Sequence, residues 1–223
     1  MIFALAVSAF LGLAGSAYAQ SMLGEVDQEL PGLLGGAAVW GDYDQDGDQD
    51  LALAGEMLGD LGPLRITRLY ENVAGSLLFD PTASDELVGV YHGSVGWGDY
   101  DSDGYPDLAV VGWGVGDEES LTIYRNTSVE TARQLSLDRL QDALLGVRYA
   151  ELAWGDYDGD GDIDLVVAGM TPDGNSQTLL YRNSRGVLAI DEINSDQILG
   201  VHNGDLAWAD YDNDGDLDLS ISG

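Results

Sequence analysis

The eleven residues Trp40–Asp50, WGDYDQDGDQD, return three more times along this chain of 223 residues in nearly the same letters. The later copies begin at Trp97 (WGDYDSDGYPD), Trp154 (WGDYDGDGDID) and Trp208 (WADYDNDGDLD). The first aspartates of the four copies are separated by 57, 57 and 54 residues (Asp42, Asp99, Asp156 and Asp210). A fixed period of this length indicates an array of similar structural units.

The similarity extends beyond these aspartate loops into runs with the composition of β-strands. An apolar residue and a glycine precede each loop, as at Leu30 and Gly32, and a short apolar run ending in glycine follows it, as in LALAG at Gly55. Three repeats then share an apolar-Tyr-x-Asn signature, which is followed by a fourth run (Leu69–Asn72, Ile123–Asn126 and Leu180–Asn183). Such runs, bounded by Gly, Asp and Asn, predict about four strands in each unit.

The predicted fold class is therefore all-β, a β-propeller with blades of four antiparallel strands. No sustained apolar stripe at helical spacing is present, and a β-sandwich would not show one repeat register along the whole chain. The repeats occupy residues 20–223, in units of about 30–86, 87–143 and 144–197 and a partial unit, 198–223.

The fourth unit stops after its second predicted strand, at Gly223, whereas propellers usually have about four to eight blades. Three interpretations are open. The sequence is truncated, or residues 21–26 help to close a four-bladed ring with one poor blade, or two chains pair into a larger ring. The expected architecture is an incomplete ring.

Each loop follows the pattern D-x-D-x-D-G-x-x-D, which points to a metal site. Carboxylates at positions 1, 3, 5 and 9 and the backbone carbonyl at position 7 supply oxygen ligands, and glycine at position 6 permits a sharp left-handed turn. Hard oxygen ligands in a flexible loop favour Ca²⁺ over Mg²⁺. The alternative is an acidic turn that binds nothing. The predicted ligands for up to four Ca²⁺ ions are Asp42, Asp44, Asp46, Asp48 and Asp50; Asp99, Asp101, Asp103, Tyr105 and Asp107; Asp156, Asp158, Asp160, Asp162 and Asp164; and Asp210, Asp212, Asp214, Asp216 and Asp218.

An EF-hand is the obvious rival, and position 12 of the loop excludes it. An EF-hand needs a bidentate glutamate there and a helix on each side. Here position 12 is apolar and lies inside a predicted strand in every repeat (Leu53, Val110, Val167 and Ile221). The ligand set therefore closes at position 9, within a hairpin between two strands.

The loop, its flanking strands and the Tyr-x-Asn signature resemble the FG-GAP/VCBS repeat family, which includes the calcium-binding blades of integrin α-subunit propellers. The resemblance covers Gln20 to Gly223. It implies a β-propeller with calcium in the hairpin between the first two strands of each blade, held by the aspartates named above. It also implies a role in adhesion or interaction outside the cell, and some members of the family carry a separate catalytic domain.

Charge restricts the partners of the chain. It carries 40 acidic and 8 basic residues, all eight of them arginine, for a net charge of −32. Nucleic acids and anionic membranes are bound through basic surfaces, so neither is expected as a partner. Such acidity suits cations and keeps a secreted protein hydrated.

The N-terminal segment predicts export. Residues 1–19 are uncharged and apolar and end in Ala17-Tyr18-Ala19, the small-x-small pattern of a signal-peptide cleavage site. The alternative is a buried apolar helix, because the run is short for a membrane span. We expect a signal peptide, and hence a location outside the cell, at its surface or in a periplasm. The chain has no cysteine, so disulfides do not hold the fold.

Together these features predict a secreted calcium-binding propeller that acts as an extracellular interaction or adhesion module, with a protein or glycan as partner. No catalytic motif is evident, and Ser94 lacks the first glycine of a nucleophile elbow, so no enzyme activity is expected. One alternative is a carbohydrate-binding propeller that uses Trp113, which lies outside the tryptophan register. Another is a non-catalytic accessory part of a secreted polysaccharide-active enzyme. The four tryptophans in register are predicted to pack between blades.

Overall fold

Each repeat opens with two antiparallel strands that enclose the aspartate loop. In the computed structural model, which describes residues 30–60, 62–127, 135–137 (backbone only) and 144–223, three blades and the first half of a fourth are present. The predicted signal peptide and residues 21–26 lie outside the described residues. Pro31–Gly223 forms one compact unit, and of the other unit, Met1–Leu30, only Leu30 is described.

The strands follow one order in every blade. The first blade contains β1 (Leu34–Gly41), β2 (Asp50–Gly59), β3 (Gly62–Val73) and β4 (Ser76–Asp80). The second contains β5 (Val90–Gly98), β6 (Asp107–Gly114), β7 (Glu119–Asn126) and β8 (Leu135–Leu137). The third contains β9 (Arg148–Gly155), β10 (Asp164–Met170), β11 (Ser176–Asn183) and β12 (Leu188–Ile190), and the fourth contains β13 (Asp205–Ala209) and β14 (Asp218–Ser222).

Successive strands pair antiparallel, so each complete blade is a meander of four strands. One pair, Ile66 with Val90, joins β3 to β5 and links the first two blades into a single eight-stranded sheet. The third blade is a separate four-stranded sheet, and β13 pairs with β14. The predicted all-β architecture of propeller blades is confirmed.

The second strand of each complete blade forms the centre of the core. Val110 and Val111 of β6 point to opposite faces, and both are fully buried. Val166 and Val167 of β10 are buried in the same way. Since both faces of these strands are covered, the sequence there is a continuous apolar run rather than an alternating one.

Three of the four tryptophans in register, Trp97, Trp154 and Trp208, pack on the preceding blade as predicted, whereas Trp40 of the first blade is exposed. Each of the three stacks on the loop tyrosine of the preceding blade, with ring centroids 6.1, 6.5 and 6.4 Å apart (Tyr43–Trp97, Tyr100–Trp154 and Tyr157–Trp208). The glycine after each of the first three tryptophans leaves room for the next ring. A Cβ at Gly98, for example, would lie 2.8 Å from atoms of Trp154. Blade contact therefore explains the Trp-Gly pair, whose glycine is replaced by Ala209 in the fourth copy.

Two short helices were not predicted. Helix α1 (Pro81–Ser84) follows β4, and α2 (Glu192–Ser195) follows β12. The side chain of Asp80 caps α1 by accepting from the backbone N–H groups of Thr82 and Ala83. Its other carboxylate oxygen accepts from the hydroxyl of Tyr43 at 2.8 Å. The cap therefore also ties the helix to the aspartate loop of the same blade. A helix of four residues is too short to show an apolar stripe at helical spacing.

Candidate metal centre

The four aspartate loops connect the first two strands of their blades, where the sequence placed them. In every loop, carboxylate oxygens from positions 1, 3 and 9 lie within 4.8 Å of one another. The four groups are Asp42, Asp44 and Asp50; Asp99, Asp101 and Asp107; Asp156, Asp158 and Asp164; and Asp210, Asp212 and Asp218. Three converging carboxylates form a donor set that suits a hard divalent cation.

In the three complete blades the position 9 aspartate is the buried anchor of the loop. Asp107 is fully buried, and its two carboxylate oxygens accept backbone N–H bonds from Tyr100 at 3.1 Å and Asn126 at 2.7 Å. Asp50 and Asp164 make the equivalent bonds. The carboxylate thus fastens the loop to the third strand of its own blade.

Burial makes the charge of these anchors costly. Desolvation raises the pKa of Asp107 to about 7, and it raises the pKa values of Asp50 and Asp164 to about 6 each, although the backbone N–H bonds oppose the shift. A bound cation would favour the ionised carboxylates and offset this cost.

The loop backbone has the expected left-handed turn and a second one that was not predicted. At position 6 the glycines have φ between 94° and 100° (Gly47, Gly104, Gly161 and Gly215). Position 4 is also left-handed, with φ between 56° and 72° (Gln45, Ser102, Gly159 and Asn213). Glycine and asparagine tolerate this conformation best, and their presence at position 4 of two loops was the available signal.

The predicted carboxylate ligands at position 5 do not join the groups formed by positions 1, 3 and 9 among the described residues. Position 5 carboxylates accept the backbone N–H of position 7, as Asp103 does from Tyr105 at 3.0 Å. Within the described part of the chain, only Asp46 among them joins a close group of carboxylates, with Asp44 and Glu71. The carbonyl ligands at position 7 stay predictions (Asp48, Tyr105, Asp162 and Asp216).

Comparison with protein families agrees with this geometry. The FG-GAP-like repeat matches residues 42–110, 99–167 and 156–220. The chain belongs to the FG-GAP-like repeat family. FG-GAP repeats commonly bind Ca²⁺, are typical of extracellular proteins and are in general non-catalytic interaction modules. Comparison with curated proteins gave no match.

One residue that faces the FG-GAP loops was missed by sequence reasoning, the x of the Tyr-x-Asn signature on the third strand. In the second blade it is Arg125, which lies 2.5 Å from Asp101 and 3.3 Å from Asp103. In the third blade Arg182 makes the same contacts, at 2.6 and 3.1 Å, with the aspartates at positions 3 and 5. In the first blade the position holds Glu71. The signature was visible in the sequence, but its variable letter carried no periodic signal.

An orphan oxygen tests whether the first loop fits a cation. Oδ1 of Asp42 is buried and accepts no hydrogen bond from the described residues. In the other three loops the equivalent oxygen accepts the backbone N–H of position 5, as Asp99 does from Asp103. A buried carboxylate oxygen without a donor is costly, and a cation would satisfy it. The residues of this loop therefore fit Ca²⁺.

Trp113, the candidate for sugar stacking, is part of the packing between blades. Its ring stacks on Tyr91 at 5.3 Å, and the guanidinium groups of Arg65 and Arg148 lie 5.3 and 5.1 Å from it.

Ser94 donates a hydrogen bond to Glu151 at 2.9 Å and does not meet a histidine in a catalytic arrangement among the described residues. In the part of the chain that the structure describes, no helix is long and apolar enough to cross a membrane.

Proposed function

We propose that this chain is a secreted calcium-binding propeller module that acts in interaction or adhesion outside the cell. The observation that carries the proposal is the convergence of three carboxylates in each of four equivalent loops. Membership of the FG-GAP-like repeat family supports both the metal and the class of function. The absence of disulfides leaves calcium as the cross-link that each blade would use.

Calcium would act by joining parts of a blade that lie apart in sequence. Positions 1 and 3 begin the loop, whereas position 9 is the first residue of the second strand and already holds the third strand through backbone bonds. An ion bound to all three would pin the hairpin to the body of the blade. Mass action then stabilises the fold: at a calcium concentration about 100 times the dissociation constant, each site adds about 2.7 kcal/mol.

Thermal unfolding of the full chain tests this mechanism. For a chain of this size, about 2.7 kcal/mol corresponds to a rise in Tm of roughly 5–10 °C for each occupied site. We expect millimolar CaCl₂ to raise Tm relative to EDTA, and MgCl₂ to raise it much less, since Mg²⁺ demands a stricter octahedral geometry.

The matched control changes position 3 in all four loops (Asp44→Asn, Asp101→Asn, Asp158→Asn and Asp212→Asn). Asparagine keeps the side-chain oxygen that accepts the backbone N–H of position 5 but removes the charge. The variant should fold in EDTA and show a smaller calcium response, because each site keeps its oxygens but loses one negative charge. Equal melting of the wild-type chain in calcium and EDTA would contradict the proposal.

Export and partner choice need their own tests. Expression of the full chain in a secreting host should give an extracytoplasmic protein whose measured mass corresponds to a chain that begins at Gln20. Retention of residues 1–19 would argue against secretion. Binding to arrays of extracellular proteins and of glycans, each in calcium and in EDTA, should identify a calcium-dependent partner. Binding that is identical in EDTA would separate the interaction from the metal.

A further inference from the structure

We infer that the end of the blades opposite the aspartate loops carries a carbohydrate site, in which the rings of His92 and Tyr149 hold one neutral sugar residue. The inference rests on the proposed function, because it names the class of partner and the surface for that interaction. The site is one cavity of about 170 Å³, which we call the mouth. It is lined by four equivalent pairs of residues near the start of each first strand: Gly35-Gly36, His92-Gly93, Tyr149-Ala150 and Asn203-Gly204.

In the three complete blades these pairs lie at β-bulges. The pairing of the first strand with the second shifts register there (between Leu34 and Ala37, between Tyr91 and Ser94, and opposite Ala168–Met170). A bulge redirects side chains out of the ladder, and bulges are frequent beside functional sites. His92 precedes Asp99 by seven residues of mostly extended chain, which places the mouth about 20 Å from the aspartate loop.

The backbone at the mouth favours glycine, yet two blades carry rings there. The first residue of each pair is left-handed, with φ between 49° and 54° (Gly35, His92, Tyr149 and Asn203). Glycine and asparagine adopt this conformation readily, whereas a bulky side chain does so at a cost in stability. Gly35 shows that glycine is sufficient for the fold of a blade at this position. Residues held in a costly conformation cluster at ligand sites, so His92 and Tyr149 mark the mouth as one.

The rings form a continuous aromatic strip along the mouth. Their centroids are 4.5 Å apart for Tyr91 and His92, 4.8 Å for His92 and Tyr149, and 6.3 Å for Tyr149 and His202. Rings this close pack on one another, so they do not enclose an ammonium group as an aromatic cage does. The guanidinium of Arg65 already lies over the ring of Tyr91, at 4.5 Å. A strip of this kind instead suits the apolar face of a sugar ring, with polar groups at its border fixing the orientation.

Hydrogen-bonding groups border the strip on two sides. At the rim these are the side chains of His92, Tyr149 and Asn203. A second cavity of about 500 Å³ shares two glycines with the mouth and is lined by Ser94 and Glu151, which are hydrogen-bonded at 2.9 Å. Sugar hydroxyls both donate and accept, so they can pair with hydroxyl, amide and carboxylate groups alike. The net charge of −32 repels anionic sugars, which leaves a neutral one.

Saturation-transfer difference NMR of the full chain in CaCl₂ tests the site with D-glucose, D-galactose, D-mannose and N-acetyl-D-glucosamine as probes. At least one of them should bind the wild-type chain. His92→Gly and Tyr149→Gly should each raise its dissociation constant at least about tenfold. Both variants should fold, because Gly35 holds the same backbone conformation in the first blade. Tyr149→Phe keeps the ring and should weaken binding less.

Ala74→Gly is the matched control. Ala74 is also left-handed, with φ of 52°, and lies in the exposed turn between β3 and β4. The same substitution there should leave sugar binding unchanged. Sugar binding that survives both glycine variants at the mouth would overturn the inference, as would binding of lysinamide by a chain that binds none of the sugars.

The calcium response separates this inference from the proposed function. If calcium raises Tm but none of the four sugars binds, the inference is overturned and the calcium-stabilised module stands. If a sugar binds and the glycine variants weaken it in a chain without a calcium response, the site is supported and the calcium part of the proposed function is contradicted.

Discussion

The side-chain amide of Asn183 donates a hydrogen bond at 2.6 Å to the backbone carbonyl of Tyr100, which lies 83 residues earlier in the metal loop of the preceding blade. Asn126 makes the same bond, at 2.7 Å, to Tyr43, again over 83 residues. The Tyr-x-Asn signatures of the second and third blades therefore reach out of their own blades. Because the accepting tyrosine is position 2 of the aspartate loop, the order of one loop depends on the neighbouring blade as well as on its ion.

The first prediction concerns these asparagines. Asn183 is fully buried, and its amide also donates to the carbonyl of Ile163 at 2.8 Å. Asn183→Ala removes both of these bonds from a buried position and should lower the free energy of unfolding by about 2–4 kcal/mol. Urea titration with circular dichroism, in saturating calcium, measures the change.

Asn72 supplies the matched control. It occupies the same place in the first blade and bonds Gln49 and Gly75 within that blade. Asn72→Ala should therefore cost about 1 kcal/mol. If both variants lose the same free energy, the bond between blades contributes nothing measurable.

The second prediction concerns the glycine that begins each unit. A Cβ at Gly146 would lie under 3.0 Å from the backbone carbonyl of Glu119, and backbone cannot move aside as a flexible side chain can. Gly146→Ala should therefore destabilise the fold by about 1–3 kcal/mol, as overpacking does in cores. Differential scanning calorimetry in calcium would detect this as a lower Tm.

Gly32 is the first-blade equivalent of Gly146, and no atom of the described residues lies within 4 Å of the Cβ that alanine would add there. Gly32→Ala should be neutral or stabilise the chain by about 0.4–1 kcal/mol, because it restricts the unfolded state. A large loss in this variant would show that the glycine serves some purpose other than close approach of the blades.

The repeated part of this architecture could be read from the sequence because every copy obeys the same physical requirement. Acidic positions at fixed spacing, the apolar second strands and the Trp-Gly pair recur since each blade needs a loop, a buried centre and room for the next tryptophan. The contacts that differ from blade to blade could not be read in this way. At one equivalent place between blades, Arg65 lies over the ring of Tyr91 at 4.5 Å, whereas Ser176 bonds His202 at 2.7 Å.

The candidate site shows the same division. Positions 1, 3 and 9 were predictable as neighbours because the D-x-D-x-D-G-x-x-D spacing fixes them locally. Arg125 and Glu71 lie on the third strand of their blades, about 20 residues after the loop. Because these equivalent residues have opposite charges, the repeat pattern does not predict what faces the loop from this strand. The burial of Asp107 depends on the packing of the folded blade, which spacing alone does not give.

The third prediction concerns Trp113. Trp113→Ala removes the ring that stacks on Tyr91 and lies beside Arg65 and Arg148. Since the ring is partly exposed, we expect a loss of about 1–3 kcal/mol in the free energy of unfolding, below the cost at a fully buried aromatic. Trp113→Phe keeps the stack and should lose less. A variant of unchanged stability that no longer binds glycans on an array would instead support the sugar-stacking role.

The last prediction concerns the pH dependence that arises at Glu151. Burial raises the pKa of this carboxyl above its ordinary value of 4.5, the negative charge of Asp205 raises it further, and the hydrogen bond from Ser94 opposes the shift. Because the folded state holds the proton more strongly than the unfolded state, the stabilising contribution is fully present below pH 4.5 and is lost as pH rises through the raised pKa.

Glu151→Gln keeps the oxygen that accepts from Ser94 and removes the titration. The variant should therefore gain Tm relative to wild type as pH rises to 8, and the two should converge near pH 4. Measuring both chains in the same buffers cancels the titration of the aspartate loops, and Asp205→Asn, which removes the neighbouring charge, should reduce the difference. A constant gap between Glu151→Gln and wild type across the pH range would mean that Glu151 does not change its protonation between the folded and unfolded states.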